Sequence, residues 1–361
     1  MMNNNRRSQR PPPQQQRRPN NSRPPVHNKP QPQKRRRRKK RPNYLPLIIF
    51  VLLIIALVFI IFQCTKKDEE TNPSITERVV SMSAPETVVT EEPYNIAEIQ
   101  ETEIYSYAAV LYNRTTNRII CEKNMDEVTY PASLTKIMTA IIAIESIDSS
   151  EYYDTYITLD ADMFDYINTA NASTAGFKAG EKVRIIDLLY GIILPSGADS
   201  CIALARYIAG SESGFADLMN AKAAELGCEN TTFINSTGLH DINHRSTARD
   251  ILTILNYALR NDLFYTIFTT ESYTTGSTSM REEGFTFKST VFRAFTNNDY
   301  EIGNIIGGKT GYTIEAKLCL STLAKTLSGE YILITLGAGE GDNNTAYHVM
   351  DTVKLYETYT D

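Results

Sequence analysis

The sequence is poor in the residue types on which several common protein classes depend. Its 361 residues include no tryptophan and only five cysteines. None of the cysteines forms a CxxC pair, which argues against a zinc ribbon or a disulfide-dense scaffold. Only four histidines occur and there is no GxSxG sequence, so a Ser-His-Asp hydrolase is disfavoured. Charged residues make up 22% of the chain, and this composition excludes the collagen-like, coiled-coil and wholly disordered classes.

Acidic residues are absent from residues 1–44, and this absence divides the chain into two parts of opposite charge. The segment carries 15 Lys and Arg, whereas the whole chain has a net charge of −5, so the remainder has a net charge of −20. The segment is also rich in Pro, Asn and Gln and has too few apolar residues to bury a core. We therefore predict that residues 1–43 are a disordered basic tail.

A long uncharged run follows the tail. Residues 44–64 include the stretch LIIFVLLIIALVFIIF, which at about 1.5 Å per residue is long enough to cross a hydrocarbon core of about 30 Å. We predict one transmembrane helix over residues 44–64. The run KRRRRKKR precedes it and acidic residues follow it closely, so the positive-inside rule predicts a single-pass cell-membrane protein with a cytoplasmic N-terminus and an extracellular domain. Residues 65–102 are acidic and contain prolines, which predicts an extracellular stalk.

We expect the predicted anchor and the basic tail to contact lipid. Residues 44–64 would contact membrane lipid, and the eight adjacent cations of residues 34–41 would attract anionic lipid. A topology signal with no partner of its own is the simpler alternative. Because no aromatic residue interleaves these charges to stack bases, we expect no nucleic-acid partner.

Residues 103–361 are predicted to form one α+β domain. Strand-like segments lie at both ends of this region, and helical patterns occupy its middle. This order predicts an antiparallel sheet formed by both ends of the domain, with an inserted helical cluster. The predicted strands are 105–111, 118–121, 309–313, 318–325 and 331–336. The predicted helices are 134–147, 183–194, 199–209, 214–226, 248–259 and 345–359.

The first candidate site is the SLTK sequence of residues 133–136, at the start of an apolar helix. A serine and a lysine three residues apart lie on one helix face, so the Lys136 ammonium can reach the Ser133 hydroxyl. Serine becomes a nucleophile when a neighbouring base takes its proton. Lys136 can do so only when neutral, which requires its pKa to fall from about 10.4 to about 7 or 8. Burial and a second cation would lower it, whereas an isolated S-x-x-K is more often a solvated helix start.

Two weaker motifs follow in the sequence. In Pro195-Ser196-Gly197, proline and glycine interrupt a helical stretch and present a serine on a loop. In Lys309-Thr310-Gly311, a lysine could hold a carboxylate and supply the second cation, and glycine lets backbone approach a ligand. Taken singly, each motif is more often an ordinary turn or strand.

The three motifs in this order resemble the signature of the penicillin-recognising serine enzymes. The stretches YPASLTKIMTA, GIILPSGADS, NSTGLHDINHRSTARD and GGKTGYTIEA are similar to those of low-molecular-mass penicillin-binding proteins that act as D-alanyl-D-alanine carboxypeptidases. The resemblance covers residues 103–361 and implies a β-lactamase/DD-peptidase-like fold. Some relatives carry an extra C-terminal β-domain with a membrane-binding tail. Because the last predicted helix lies close to the end of this sequence, we expect the N-terminal helix to supply the anchor instead.

The resemblance assigns a role to each motif residue. Ser133 would be the acylated nucleophile, Lys136 its general base and Ser196 a proton relay. Substrate would be held by Lys309, Thr310 and Gly311, with the backbone N–H groups of Ser133 and Tyr312 as the oxyanion hole.

The resemblance further implies a penicillin-sensitive hydrolase of cell-wall metabolism and cell shape. The enzyme would remove the terminal D-alanine from peptidoglycan stem peptides that end in D-Ala-D-Ala, through an acyl-enzyme on Ser133. β-Lactams would act as pseudo-substrates. No metal or organic cofactor is implied.

Several departures and alternatives accompany this hypothesis. Relatives usually have Asn two residues after the second-motif serine, where this chain has Ala198, and Asp199 is one residue out of register. A catalytically weak wall-binding penicillin-binding protein is therefore one alternative. A peptidoglycan DD-endopeptidase shares every motif and is another, whereas a class A β-lactamase would need an E-x-x-L-N sequence that is missing. Lys317 also stands where a small residue is expected.

His240 and His244 are four residues apart and could bind a metal on a helix. Their surroundings are polar and loop-like, which favours structural hydrogen bonding instead.

Overall fold

The structure is a computed structural model that describes residues 95–100, 103–301, 303–339 and 345–360. The predicted tail, the predicted anchor at 44–64 and most of the predicted stalk lie outside the described residues. Within the ranges that are described, no helix is both long enough and apolar enough to cross a membrane.

The domain is built on a six-stranded sheet with the strand order β1-β3-β2-β10-β9-β8. β10 pairs with β2 in antiparallel register, so strands from both ends of the domain meet in one sheet, as predicted. β1 lies in the segment predicted as stalk and adds a parallel edge strand beside β3. The other edge is β8, which carries the Lys309 motif. The strands of this sheet are β1 (Ala97–Glu98), β2 (Ala108–Asn113), β3 (Arg118–Lys123), β8 (Ile305–Thr313), β9 (Lys317–Thr326) and β10 (Gly329–Ala338).

Two small hairpins were not predicted from the sequence. Each strand in them has only three residues, too few for alternation to be distinct from a loop. Val183 begins a predicted helix but lies in β5, because it pairs with Ile157 across the hairpin. The hairpin strands are β4 (Tyr156–Thr158), β5 (Lys182–Arg184), β6 (Ser272–Thr274) and β7 (Thr286–Lys288).

The six predicted helices are present, with ends that differ by about two residues. The prediction missed three short helices, Ala161–Thr169, Asp262–Phe268 and Thr290–Asn297. The helices are α1 (Lys136–Ser146), α2 (Ala161–Thr169), α3 (Ile185–Ile193), α4 (Ala198–Ala209), α5 (Glu212–Glu225), α6 (Ala248–Ala258), α7 (Asp262–Phe268), α8 (Thr290–Asn297) and α9 (Tyr347–Tyr359).

Helix α1 lies at the centre of the larger hydrophobic core, on one face of the sheet. Nine of its residues, from Lys136 to Ile144, are buried, as expected for a helix that is apolar on most of its surface. A smaller core on the other face is formed largely by α8, α9 and the opposite side of the strands. The 3-10 turn Ala132–Thr135, which leads into α1, packs against the edge strand β8, so the first and third sequence motifs meet there.

Candidate active site

The nucleophile candidate lies on a 3-10 turn, Ala132–Thr135, that leads directly into α1. We call Ala132–Thr135 the Ser133 turn. Ala132 has a φ of +45°, an uncommon conformation for a residue with a side chain. The Lys136 Nζ donates a hydrogen bond of 3.0 Å to the Ser133 Oγ. The spacing of three residues therefore produces the contact that the sequence predicts.

Lys136 is almost entirely buried. Its side chain is only 3% exposed, and its Nζ also donates to the Thr237 carbonyl oxygen at 2.5 Å. Burial lowers the pKa of Lys136, and nearby acidic groups, including Asp199 and Glu212, offset part of that effect. The direction is the one that a general base requires.

The second serine lies on the connection between α3 and α4. Ser196 has a φ of +64° and is buried. Gly197 is required beside it, because a Cβ there would lie 2.5 Å from an Asp199 carboxylate oxygen and 2.7 Å from the Ala175 backbone nitrogen. We call residues 195–197 the Ser196 turn. Its backbone conformation directs a buried hydroxyl toward β8.

Lys309 on β8 forms the second serine–lysine pair. Its Nζ donates to the Ser196 Oγ at 2.7 Å and to the Thr310 carbonyl oxygen at 2.6 Å. The side chain is fully buried. Burial, together with the neighbouring charge of Lys136, lowers the pKa of Lys309 well below its ordinary value. The charge of Lys136 thus acts on Lys309, whereas burial is what lowers the pKa of Lys136.

The remaining motif residues follow Lys309 along β8. The Thr310 Oγ1 donates to the Thr290 Oγ1 of α8 at 2.8 Å. A Cβ at Gly311 would lie 3.2 Å from the Ser133 backbone nitrogen, so glycine allows β8 to approach the Ser133 turn closely. Tyr312 is half exposed at the pocket wall.

One open cavity of about 880 Å³ brings most of the predicted residues together. Its lining includes Ser133, Lys136, Ser196, Thr310, Gly311 and Tyr312. Lys309 is held behind this wall, in contact with Ser196. The pocket also contains residues that the sequence did not single out, among them Asn171, Thr290 and Arg293. Thr290 and Arg293 belong to α8, and Asn171 follows the end of α2; neither helix was predicted from the sequence.

The structure shows what Ala198 and Asp199, the two residues that depart from the usual second motif, do in this protein. Ala198 lines the pocket, so no amide is presented from that position. Asp199 points away from the pocket and accepts hydrogen bonds from the backbone nitrogens of Ala175, Gly176 and Phe177 at 2.8 to 3.3 Å. It therefore anchors the 175–177 loop and does not replace the missing amide. Lys317 adopts a φ of +57° at the start of β9.

The two histidines have separate environments. His244 is buried, shares a hydrogen bond of 2.8 Å with the Thr135 Oγ1 through its Nε2, and accepts from the Ile234 backbone nitrogen at 3.2 Å. Burial lowers the pKa of His244 to about 4. His240 lies 3.6 Å from the Glu315 carboxylate. Among the described residues, no group of three or more ligating side chains could hold a metal ion.

Ser133 and Lys136 form one serine–lysine pair at the start of a helix, and Ser196 on a turn forms a second pair with Lys309 on an edge strand. This arrangement is typical of the penicillin-recognising serine enzymes. A family model described as Peptidase_S11, D-alanyl-D-alanine carboxypeptidase, matches residues 95–340. The chain belongs to this family.

Relatives of known name support the assignment. The chain is 34% identical to the D-alanyl-D-alanine carboxypeptidase DacF of Bacillus subtilis over 239 residues, which is 64% of this chain and 57% of DacF. It is also 34% identical to DacC of Escherichia coli, over 66% of this chain and 58% of DacC. The aligned region therefore spans a little under three fifths of the length of these two relatives.

The fold has a close counterpart among solved structures. The Streptomyces K15 DD-transpeptidase superimposes with a TM-score of 0.62 and 28% sequence identity, covering 72% of this chain and 98% of that protein. The predicted DD-peptidase-like α+β fold is confirmed by this similarity.

Proposed function

We propose that this protein is a membrane-anchored serine D-alanyl-D-alanine carboxypeptidase. It would remove the terminal D-alanine from peptidoglycan stem peptides through an acyl-enzyme on Ser133, and penicillin would acylate the same serine. The observation that carries the proposal is the 3.0 Å contact between the Lys136 Nζ and the Ser133 Oγ, made by a buried lysine at the wall of an open pocket. Membership of the Peptidase_S11 family supports it.

Acylation would begin with neutral Lys136. The lysine takes the proton from the Ser133 hydroxyl, and the oxygen attacks the carbonyl carbon of the penultimate D-alanine. The backbone N–H groups of Ser133 and Tyr312 would stabilise the oxyanion that develops. The bond to the terminal D-alanine then breaks as its nitrogen receives a proton, leaving an ester on Ser133.

Ser196 and Lys309 would deliver that proton to the leaving nitrogen. The Ser196 hydroxyl, which accepts a hydrogen bond of 2.7 Å from the Lys309 Nζ, would give its proton to the leaving nitrogen. The proton that Lys136 took from Ser133 would then replace the one that Ser196 has lost. A water molecule activated by the same groups would then cleave the ester, releasing the shortened peptide and free Ser133.

Recognition of the substrate carboxylate would fall to Thr310 and to Arg293. The buried Lys309 is already bonded to Ser196 and Thr310, whereas Arg293 is exposed at the pocket wall. A guanidinium suits a carboxylate, and its hydrogen bonds to charged groups are among the stronger ones. Arg293→Gln should raise KM for a pentapeptide about tenfold. Arg260→Gln, at an exposed site outside the pocket, is the control, and an unchanged KM in Arg293→Gln would remove Arg293 from the proposal.

Residues 44–64 would anchor the protein as a single-pass helix in the cell membrane, with the basic tail in the cytoplasm beside anionic lipid. Hydropathy and the positive-inside distribution of charge support this topology. Protease added outside intact cells should remove the domain and spare the tail. Loss of the tail with retention of the domain would contradict the orientation.

The deciding experiment uses the full-length protein with a labelled penicillin and, separately, a pentapeptide ending in D-Ala-D-Ala. We expect an adduct on Ser133 and release of D-alanine. Absence of both would refute the enzyme. An adduct without D-alanine release would favour a DD-endopeptidase or a weak wall-binding protein, and cleavage of a crosslinked dimer would separate these two.

A further inference from the structure

Helix α5 anchors the loop that passes beside the catalytic lysine. We call residues 233–239 the cradle segment. Glu212, in the first turn of α5, accepts hydrogen bonds from the Ser236 backbone nitrogen at 3.2 Å and from the Ser236 Oγ at 2.8 and 3.0 Å. Asn220, two turns further along, forms two bonds of 2.8 Å with the Phe233 backbone. The cradle segment is therefore held by one charged and one neutral side chain of the same helix.

The opposite side of the cradle segment contacts the candidate nucleophile and base. The Thr237 carbonyl accepts from the Lys136 Nζ at 2.5 Å, and the Ser236 carbonyl accepts from the Thr139 Oγ1 at 2.6 Å. Ser236, which binds Glu212, is directly followed by Thr237, which binds Lys136. Two consecutive residues, Ser236 and Thr237, thus connect a carboxylate of α5 to the lysine.

The surroundings of Lys136 leave Glu212 as the acidic group with this connection. Asp199 is occupied by the backbone of residues 175–177. Burial raises the pKa of Glu212, while its bonds from Ser236 lower it. The titratable groups that face Lys136 are Asp199 and Cys201 from α4, Glu212 from α5, Lys309 from β8 and His244 from the loop before α6.

We infer that Glu212 is a positioning residue for Lys136. Through the cradle segment it holds the Lys136 Nζ against Ser133, and its charge acts together with that of Asp199 on the pH at which the lysine becomes a base. The inference rests on the proposed function, in which Lys136 is the base. It adds to that function a group outside the three motifs, 76 positions along the chain from the lysine it controls.

The test is the pH dependence of acylation by a labelled penicillin, measured on the full-length chain. Glu212→Gln keeps an oxygen that can accept from Ser236 but removes the negative charge. Without that charge, protonated Lys136 is less stabilised and loses its proton more easily. The acylation rate rises with pH as Lys136 loses its proton, and we call this part of the pH profile the rising limb. In Glu212→Gln the rising limb should move to lower pH by about one pH unit, the order of magnitude expected for the loss of one nearby charge.

Two variants on the same helix serve as matched controls. Asn220→Ala removes the neutral anchor of the cradle segment, so it should lower the melting temperature without moving the rising limb. Glu225→Gln removes a carboxylate that pairs with Lys222 at 2.9 Å in the last turn, so it should leave the rate and its pH dependence unchanged.

The outcomes separate the inference from the proposed function. A limb that moves in Glu212→Gln and stays in place in both controls supports the inference. A limb at the wild-type position in Glu212→Gln, in a protein that still forms the adduct, overturns the inference alone. If Asn220→Ala moves the limb as far as Glu212→Gln does, the effect is structural and the inference is wrong. A wild-type protein that forms no adduct overturns both.

Discussion

The Ser133 turn and the Ser196 turn each hold a serine hydroxyl against a lysine, but the two pairs arise differently. Ser133 and Lys136 are three residues apart, and the helical geometry of one segment brings them to 3.0 Å. Ser196 and Lys309 are 113 residues apart, and they meet at 2.7 Å only because the fold places the Ser196 turn against the edge strand β8. Similar contacts can therefore come from local geometry or from the whole fold.

The two turns share one local feature. Each contains a residue with a side chain at positive φ, Ala132 at +45° and Ser196 at +64°. Such conformations cost free energy and persist where the surroundings hold them in place. At the Ser133 turn the support includes the cradle segment, and at the Ser196 turn it includes Gly197 and Asp199.

The largest effect is expected from replacing Ser133 with alanine. Ser133→Ala should abolish the covalent penicillin adduct and peptide hydrolysis, because no other group would supply the attacking oxygen. Intact-mass spectrometry after incubation with penicillin measures the adduct. An adduct of unchanged stoichiometry would show that the nucleophile lies elsewhere.

Ser196→Ala should leave the adduct but slow its formation about a hundredfold, because a relay assists proton transfer without forming the new bond. The second-order rate of acylation by penicillin measures the effect. If Ser196→Ala also abolishes the adduct, or has no effect, the proposed difference in role between the two serines is wrong.

Gly238→Ala should destabilise the Ser133 turn. Gly238 has a φ of +78°, and a Cβ there would lie only 1.9 Å from the Ala132 carbonyl oxygen. We expect a loss of about 3 kcal/mol in the free energy of unfolding, with slower acylation. Gly210→Ala is the matched control, since its φ is +73° and nothing lies within 4 Å. It should cost about 1 kcal/mol, and equal losses in urea unfolding would contradict the role of the contact.

Acid should weaken the support of the Ser133 turn through His244. Its pKa is about 4 in the folded protein and about 6.5 when unfolded, so the unfolded chain binds the proton more readily between these values. The free energy of unfolding should therefore fall from pH 7 to pH 4, by about 2 to 3 kcal/mol from this residue. His244→Gln should remove that part of the pH dependence. An identical decrease in the variant would exclude His244 as its source.

The smallest effect is expected at the second turn. Ala198→Asn would restore an amide where Ala198 lines the pocket. If the missing amide limits turnover, pentapeptide hydrolysis should rise about threefold, a gain of under 1 kcal/mol. A steady-state assay measures it, and an unchanged rate would mean that the site orients the peptide bond by other groups.

Elements with a long, regular apolar pattern were predicted accurately, whereas short elements that depend on contacts with distant segments were not. The helix that begins at Lys136 and the strands β9 and β10 were predicted because their apolar patterns are long and regular. The hairpin strands β5 and β7 and the helix α8 were not, since each is short and depends on its partners. Arg293 was missed for the same reason, because α8 had to be placed beside β8 before its side chain could be assigned to the pocket.

The sequence by itself determined the opposite charges of the two parts of the chain, the order of the three motifs and the contact of Ser133 with Lys136. These depend on composition and on a helical spacing of three residues. Only the tertiary structure decided that Lys309 is buried against Ser196, that Asp199 turns away from the pocket and that Glu212 reaches Lys136 through the cradle segment. The physical reason is that burial and long-range hydrogen bonds depend on which distant segments pack together, and local spacing does not contain that information.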